Sequence, residues 1–316
     1  MTPVGLGQPD PPGQLGAISR AGARDTTPPS EGAAPPGGYY GRAVLKEPVW
    51  KWEVPAYLFT GGLAGASATL ALGTRWAGNR PLRRAALMAG ALGVVASPPL
   101  LIADLGRPDR FINMWRVAKV TSPMSVGTWV LTAFAPALGG AAACEWLGRL
   151  PRVGRMLEIV AGGLGPVMAT YTAVLVGDTA VPAWHGAHRQ LPTVFAATAA
   201  ATAGAASVVL TPVGSAGPAR RLAVLGSLGT LGASHSMKRR LGEEARHHKG
   251  RLASAATALL AAGATALALA GPRPARRPLA LVGAAAVLAG GAAERFAVVE
   301  AGRHSARASV PVPSSG

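Results

Sequence analysis

Residues 55–73 read PAYLFTGGLAGASATLALG and form the first long apolar segment of the chain. The segment contains no charged residue and consists mainly of Ala, Gly and Leu. A helix needs about 20 consecutive apolar residues to cross the hydrocarbon core of a bilayer, and small residues allow such helices to pack closely. The segment therefore predicts a transmembrane helix.

Seven further segments of the same character follow, and the breaks between them hold charge, Pro or Gly. None shows the alternation of polar and apolar residues that marks a β-strand. We therefore expect an all-α, polytopic membrane protein with about eight transmembrane helices, arranged as two four-helix bundles. The sixth segment of the eight is the weakest, because it is rich in Gly and ends in Ser, His and Ser. The segments after the first are 85–103, 125–147, 157–176, 191–210, 219–236, 252–270 and 278–297.

The composition favours the same class of protein. Of 316 residues, 49% are hydrophobic and only 14% are charged, whereas soluble domains are about a quarter charged. The net charge is +17, but most Arg and Lys stand in short clusters between apolar segments, where they anchor helix ends against lipid headgroups. We therefore expect a lipid bilayer around this chain, and no nucleic acid. The clusters are spread evenly over both sides, so they do not predict the membrane orientation.

The chain divides into three regions. Residues 1–38 are rich in Pro, Gly, Ala and Ser and predict a disordered tail that stays outside the membrane. Residues 39–300 are the predicted eight-helix transmembrane domain, and residues 301–316 predict a short flexible tail. The first region has no charged start followed by an apolar run, so we expect no cleavable signal peptide.

Alternation of eight helices sorts the ionisable groups by membrane face. The start of helix 1 and the ends of helices 2, 4, 6 and 8 share one face, and we call it the N-terminal face. The comparable acid on the opposite face is Glu145. Acids at membrane depth are candidates for functional sites. In chain order, the N-terminal face carries Glu53, Tyr57, Asp104, Tyr171, Asp178, His235 and Glu294.

These residues also have ordinary explanations, which stay open at this point. Tyrosines near helix ends are common in the aromatic belt of membrane proteins. Asp104 can pair with Arg107 or Arg110 in the loop that follows it. Glu294 stands beside Arg295 and predicts an ion pair at a helix end.

The sequence shows little chemistry of its own. A single cysteine, Cys144, cannot hold an iron–sulfur cluster. His235 is the one histidine inside a predicted span, whereas a membrane b-type haem usually takes two axial ligands. We therefore expect no haem, no iron–sulfur cluster and no metal site in this chain. A quinone would need only an apolar cleft and a few hydrogen-bonding groups.

Three motifs carry a family resemblance. Residues 39–65 read YYGRAVLKEPVWKWEVPAYLFTGGLAG, residues 104–114 read DLGRPDRFINM, and residues 121–129 read TSPMSVGTW. Together with Tyr171 in helix 4, they resemble the NrfD/PsrC family, the membrane subunits of polysulfide, nitrite and related molybdoenzyme reductases. The resemblance covers about residues 39–300 and is strongest in the first four helices. These motifs are similar to those of actinobacterial members that accompany a formate-dehydrogenase-like catalytic subunit.

The resemblance implies a function. Such a subunit has eight helices, lies in the inner (cytoplasmic) membrane and exchanges electrons with a quinone, here menaquinone, in anaerobic respiration. Its partners would be a ferredoxin-type iron–sulfur subunit with four clusters and a molybdopterin catalytic subunit. The chain would then be a part of an oxidoreductase outside the catalytic core. The resemblance leaves the partner's substrate and the direction of electron flow open.

The resemblance also assigns residues. Family members bind quinone near the iron–sulfur subunit with groups from helices 1, 2 and 4, which correspond here to Tyr57, Asp104 and Tyr171. The two tyrosines would hold the quinone carbonyls, and Asp104 would take up or release the proton. In the loop after Asp104, Arg107 and Arg110 would dock the partner or pair with Asp104.

The start of helix 1 departs from the family pattern. The polysulfide reductase subunit has an Asn and a His where this chain has Val54 and Tyr57. A Tyr hydroxyl can donate to a quinone carbonyl but does not take up a proton near neutral pH. Proton exchange would then depend on Asp104, Glu53 or Asp178.

Two other functions stay open. One is a secondary transporter, since Gly165-Pro166 interrupts helix 4 and transporters of this kind contain broken helices. The other is a membrane anchor without quinone chemistry. Quinone binding would distinguish a quinone-reactive subunit from an anchor without quinone chemistry. An associated ferredoxin-like subunit would distinguish both of these from a transporter.

Overall fold

The computed structural model describes residues 48, 50–105, 114–116 and 118–308. Within these residues the chain forms eight long α-helices and no β-strand. The long helices are α1 Glu53–Trp76, α2 Arg80–Leu105, α3 Pro123–Leu147, α4 Pro151–Gly177, α5 Leu191–Leu210, α6 Gly217–Leu241, α7 Arg251–Ala270 and α8 Arg277–Ala308. Short helical turns lie between some of them, at Met114–Arg116, Pro182–His185, Val213–Ser215, Gly242–His248 and Pro274–Arg276.

The prediction of an all-α, polytopic membrane protein is confirmed. In the described part of the chain, seven helices are long and apolar enough to cross a membrane. The remaining long helix is α6, which has 25 residues but is less apolar than the others. It corresponds to the segment that the sequence marks as weakest. Basic residues near both of its ends, from Arg220 to Arg240, explain the difference.

The long helices form two four-helix bundles, as predicted. Helices α1–α4 pack mainly against one another, and α5–α8 do the same. Helix α5 also packs against α1, α2 and α4 and so joins the bundles. Glycines allow the closest approaches, because a Cβ on Gly65 would lie 2.6 Å from the Gly165 carbonyl oxygen.

The TSPMSVGTW motif starts α3 in the way its residue types dictate. The hydroxyl of Ser122 accepts a hydrogen bond from the Ser125 N–H at 3.5 Å and so caps the helix. Pro123 follows in the first turn, where a backbone N–H is not needed. The helix ends before Gly148, whose φ of 63° is in the left-handed region that favours glycine.

The C-terminal boundary differs from the prediction. Residues 301–316 were expected to form a flexible tail, but α8 continues as a helix to Ala308. The reason is packing: Gly302 and Ser305 are buried against the turn at Pro182–His185, and the Ser305 hydroxyl accepts a hydrogen bond from the Ala183 N–H at 3.2 Å. The predicted tail 1–38 lies outside the described residues and stays a prediction.

Candidate functional site

A cavity of about 140 Å³ lies on the N-terminal face of the first bundle. Helices α1 to α4 all contribute to it. Most of its lining is apolar, with Leu100, Leu101 and Leu131 among the larger side chains. It brings together four of the residues that the sequence singled out. The polar residues of the lining are Glu53, Tyr57, Asp104, Thr128 and Tyr171.

Two tyrosines meet inside this cavity. Tyr57 of α1 and Tyr171 of α4 are 114 residues apart, and their hydroxyl groups are hydrogen-bonded to each other. Tyr57 is only 6% exposed. Because one hydroxyl donates to the other, the pair keeps one proton that it can donate to a further group.

A glycine makes room for Tyr171. A Cβ added to Gly127 of α3 would overlap the aromatic ring of Tyr171. Gly127 belongs to the TSPMSVGTW motif, so the motif serves both the start of α3 and the position of the tyrosine from α4. Thr128, the next residue, also lines the cavity.

The acidic residues of the cavity come from helix ends. Glu53 is the first residue of α1, where a carboxylate is favourable for the helix dipole, and Asp104 lies next to the last residue of α2. The carboxylate of Glu53 and the ammonium group of Lys51 both lie close enough to Asp104 to interact with it electrostatically. Asp104 is exposed, whereas Oε2 of Glu53 is buried without a hydrogen-bond partner among the described residues.

Prolines precede Asp104 in α2. Pro98 and Pro99 stand inside the helix, and each lacks the N–H that would bond to the carbonyl one turn earlier. The helix nevertheless continues to Leu105. Ser97 directly precedes the prolines, and its hydroxyl donates to the Gly93 carbonyl at 2.7 Å. The prolines therefore remove two backbone hydrogen bonds from α2 just ahead of Leu100, Leu101 and Asp104.

The start of α1 is fixed to the second bundle through an aromatic stack. The rings of Trp50 and Trp184 lie 4.8 Å apart at an interplanar angle of 20°. Trp184 is fully buried, and its indole N–H donates to the Val298 carbonyl of α8 at 2.7 Å. A Cβ on Gly302 would overlap the indole ring. The position of Glu53 and Tyr57 therefore depends on contacts with α8.

One predicted residue does not line this cavity, and two others are not described by the structure. Asp178 follows the last residue of α4, is exposed and does not line the cavity. Arg107 and Arg110 lie outside the described residues, so their predicted role in docking stays a prediction.

The opposite face holds a cluster of charges that the sequence revealed only in part. Glu145 was recognised there, but Glu158 was missed. Glu158 is 1% exposed, and its Oε2 accepts hydrogen bonds from Arg75 at 2.5 Å and from Arg83 at 3.0 Å. Arg83 also pairs with Glu145, which in turn pairs with Arg84 at 2.7 Å. The available signal was an acid at the second position of the predicted segment 157–176.

The expected ion pair at Glu294 and Arg295 forms, but not at a helix end. Because α8 extends to Ala308, the pair lies in the middle of the helix, and both residues are buried. Arg295 donates to Glu294 at 2.9 Å and to the Phe195 carbonyl at 2.8 Å. Its guanidinium group lies 3.6 Å from the ring centre of Phe195. The pair is therefore part of the core between α5 and α8.

His235 and Glu294 line a different cavity, of about 310 Å³, within the second bundle. Lys238 and His248 also line it. Burial lowers the pKa of His248, which lies in the turn after α6, and the ring Nε2 donates to the Ala183 carbonyl at 3.3 Å. Alternation of helices placed His235 and Glu294 on the N-terminal face with Tyr57, but the fold separates them into another bundle.

The fold and the cavity define a class: a multi-pass membrane protein of two four-helix bundles, with an apolar cavity that presents paired hydroxyls and carboxylates at one membrane face. A protein-family model described as "Polysulphide reductase, NrfD" matches residues 43–240, from ahead of α1 to the last turn of α6. The protein therefore belongs to the NrfD family. No curated protein matches the chain.

Members of this family are generally quinone-interacting membrane anchors of molybdoenzyme complexes, and they partner with iron–sulfur and molybdoenzyme subunits. The matched residues include the whole of the first bundle and the cavity described above. The last two helices lie beyond the match.

Proposed function

We propose that the protein is the quinone-reactive anchor of an iron–sulfur molybdoenzyme complex in the cytoplasmic membrane. It would pass electrons between menaquinone and a ferredoxin-type iron–sulfur subunit, which in turn serves a molybdopterin subunit. The observation that carries the proposal is the cavity of the first bundle, where hydrogen-bonded tyrosines and two carboxylates meet in an apolar lining.

The cavity suits a quinone ring. Its volume of about 140 Å³ is below the roughly 300–1,000 Å³ of sites that enclose a whole drug-sized ligand. It therefore fits a planar headgroup whose apolar tail lies outside, along the lipid-facing helices. Leucines from α2 and α3 offer flat apolar contact, and the polar groups are few, as is usual for sites of this kind.

The tyrosine pair would bind one end of the ring. A bound quinone supplies two-electron, two-proton redox chemistry. Since the hydroxyls of Tyr57 and Tyr171 bond to each other, one remaining proton is available to a carbonyl oxygen. The two tyrosines thus serve the same carbonyl, rather than one carbonyl each.

Asp104 would exchange the proton. It is exposed at the end of α2 and lines the cavity, so it can receive protons from water at the N-terminal face and hold them next to the ring. Glu53, with a buried and unpartnered oxygen, offers a second carboxylate in the same place. Asp178 is exposed and does not line the cavity. It would therefore exchange protons only at the surface.

The iron–sulfur subunit would dock on the same face, because electrons must pass between the cavity and a cluster. Arg107 and Arg110 follow Asp104 in the sequence and are the proposed docking residues. The catalytic subunit would be formate-dehydrogenase-like, as in the actinobacterial members that the motifs resemble.

The test is a pull-down of the tagged full chain in mild detergent, with extracted quinone, bound iron and molybdenum assayed together. We expect iron–sulfur and molybdopterin subunits to co-purify with menaquinone. Recovery of both subunits without quinone would favour an anchor that lacks quinone chemistry. Recovery of the chain alone would favour a secondary transporter and contradict the proposal.

A further inference from the structure

A second cavity of the first bundle, of about 510 Å³, lies at the opposite end from the tyrosine pair. It is formed where α1 and α3 end and where α2 and α4 begin. Cys144 and Glu145 of α3 line it, but most of its charged groups are basic. The arginines of the lining are Arg75, Arg80, Arg83, Arg84 and Arg155.

The positive charge of this cavity is not balanced by its acids. Glu145 and Glu158 pair with Arg75, Arg83 and Arg84, so two negative charges face five positive ones. The side chains of Arg80 and Arg155 make no hydrogen bond or ion pair with any described residue. The five arginines and two glutamates together carry a net charge of +3, which favours the binding of an anion from outside the described chain.

The acids also give the arginines a fixed geometry. Glu158 bonds both Arg75 and Arg83, and Glu145 bonds both Arg83 and Arg84. Arg83 is thus held between two carboxylates, with a side chain that is only 10% exposed. A guanidinium fork held in this way loses little conformational entropy when it binds a further oxygen anion. Nε of Arg75 is buried and lacks a hydrogen-bond partner among the described residues.

The cavity lies where lipid headgroups are expected. Trp76, at the end of α1, is 76% exposed, and Trp146, at the end of α3, is 49% exposed. Exposed tryptophans at helix ends mark the level of the membrane interface. Leu147 and Leu150 beside them are 69% and 65% exposed, which suits contact with acyl chains. The arginines therefore stand at the depth of the lipid phosphates.

We propose that this cavity binds a phosphate group. Arginine forks bind phosphate oxygens in pairs of parallel hydrogen bonds, and basic pockets between membrane helices bind anionic headgroups. The position of the cavity favours an anionic phospholipid over free phosphate as the source. The site is separate from the cavity of Tyr57 and Tyr171, so the proposal stands whether or not that cavity binds quinone.

The test is native mass spectrometry of the full chain in mild detergent. The probes are phosphatidylglycerol, phosphatidylcholine with the same acyl chains, and inorganic phosphate as a competitor. The test variant is the double substitution Arg80→Gln and Arg155→Gln, which breaks no ion pair within the described chain. The control is Arg221→Gln with Arg276→Gln, which removes equal charge from exposed positions on the same face that do not line the cavity.

We expect the wild type and the control to retain phosphatidylglycerol in preference to phosphatidylcholine. The test variant should retain it roughly ten- to thirtyfold less, as each basic residue near the surface contributes to lipid attraction. Binding of inorganic phosphate without lipid, lost in the same variant, would support the phosphate site and identify a water-soluble source. If the test variant retained phosphatidylglycerol and phosphatidylcholine to the same extent as the control does, the proposal would be overturned.

Discussion

The two ends of the first bundle are built from the same four helices but differ in chemistry. At the N-terminal face, tyrosines and acids stand in an apolar cavity, and the acids lack arginine partners among the described residues. At the opposite face, the acids are locked to arginines in a network of ion pairs. We propose that an acid beside the first cavity exchanges a proton, whereas the acids in the network hold the arginines in position.

The largest effect is expected in the ion-pair network. Glu158→Gln leaves Arg75 and Arg83 without their shared carboxylate, and removing one partner of a buried ion pair costs about 3–5 kcal/mol. The loss is measured as a lower free energy of unfolding of the purified chain in detergent. Arg84→Gln is the control, because this side chain is 65% exposed and surface pairs contribute about 1 kcal/mol or less. If the two variants were equally stable, the network would not hold the bundle together.

The next effect concerns the first cavity. Asp104→Asn keeps the shape of the side chain but cannot hold a proton, so quinol turnover of the assembled complex should fall by about a hundredfold, within the usual range for a lost general acid or base. Assembly should be unchanged. Asp178→Asn, outside the cavity, should keep turnover within about twofold of the wild type. Normal turnover with Asn at position 104 would exclude the proposed role.

A smaller effect follows from the space beside Tyr171. Gly127→Ala places a methyl group against the tyrosine ring, and overpacking of this kind costs about 1–3 kcal/mol. We expect the ring to move, the bond to Tyr57 to break, and the apparent affinity for quinone to fall. Gly139→Ala in the same helix is the control, because its Cβ would meet nothing within 4 Å. Equal quinone affinity in the two variants would show that the ring position is unimportant.

The smallest effect tests whether the two tyrosines serve one carbonyl. In Tyr57→Phe or Tyr171→Phe, the remaining hydroxyl can still donate, so each single variant should weaken quinone binding only about two- to fivefold. The double variant loses the donor altogether and should lose more than the two single changes combined. Additive losses in this double-mutant cycle would mean that each tyrosine binds separately.

The membrane architecture could be predicted from the sequence because it depends on local composition. A run such as 55–73 predicts a helix wherever it occurs, since hydrogen bonds within the helix satisfy the backbone in lipid. Seven predicted spans are confirmed as helices apolar enough to cross a membrane, and the segment marked as weakest, 219–236, is the one that forms a helix without meeting that criterion.

The candidate site could be predicted from the sequence only in part. Alternation assigns each helix end to a face, and this placed Tyr57, Asp104 and Tyr171 on one side of the membrane. It does not say which helices are neighbours, so it also grouped them with His235 and Glu294, which belong to the second bundle. The role of these residues in binding quinone stays a prediction.

The sequence by itself determined what each segment is: an apolar helix, a break, a helix cap, or a membrane face that carries acids. These follow from side-chain chemistry within a few residues along the chain. Only the tertiary structure decided which groups meet. The contact of Tyr57 with Tyr171 spans 114 residues, and that of Arg75 with Glu158 spans 83. Such pairs depend on helix packing and rotation, which small residues such as Gly65, Gly127 and Gly165 permit by close approach and which no local pattern of polarity specifies.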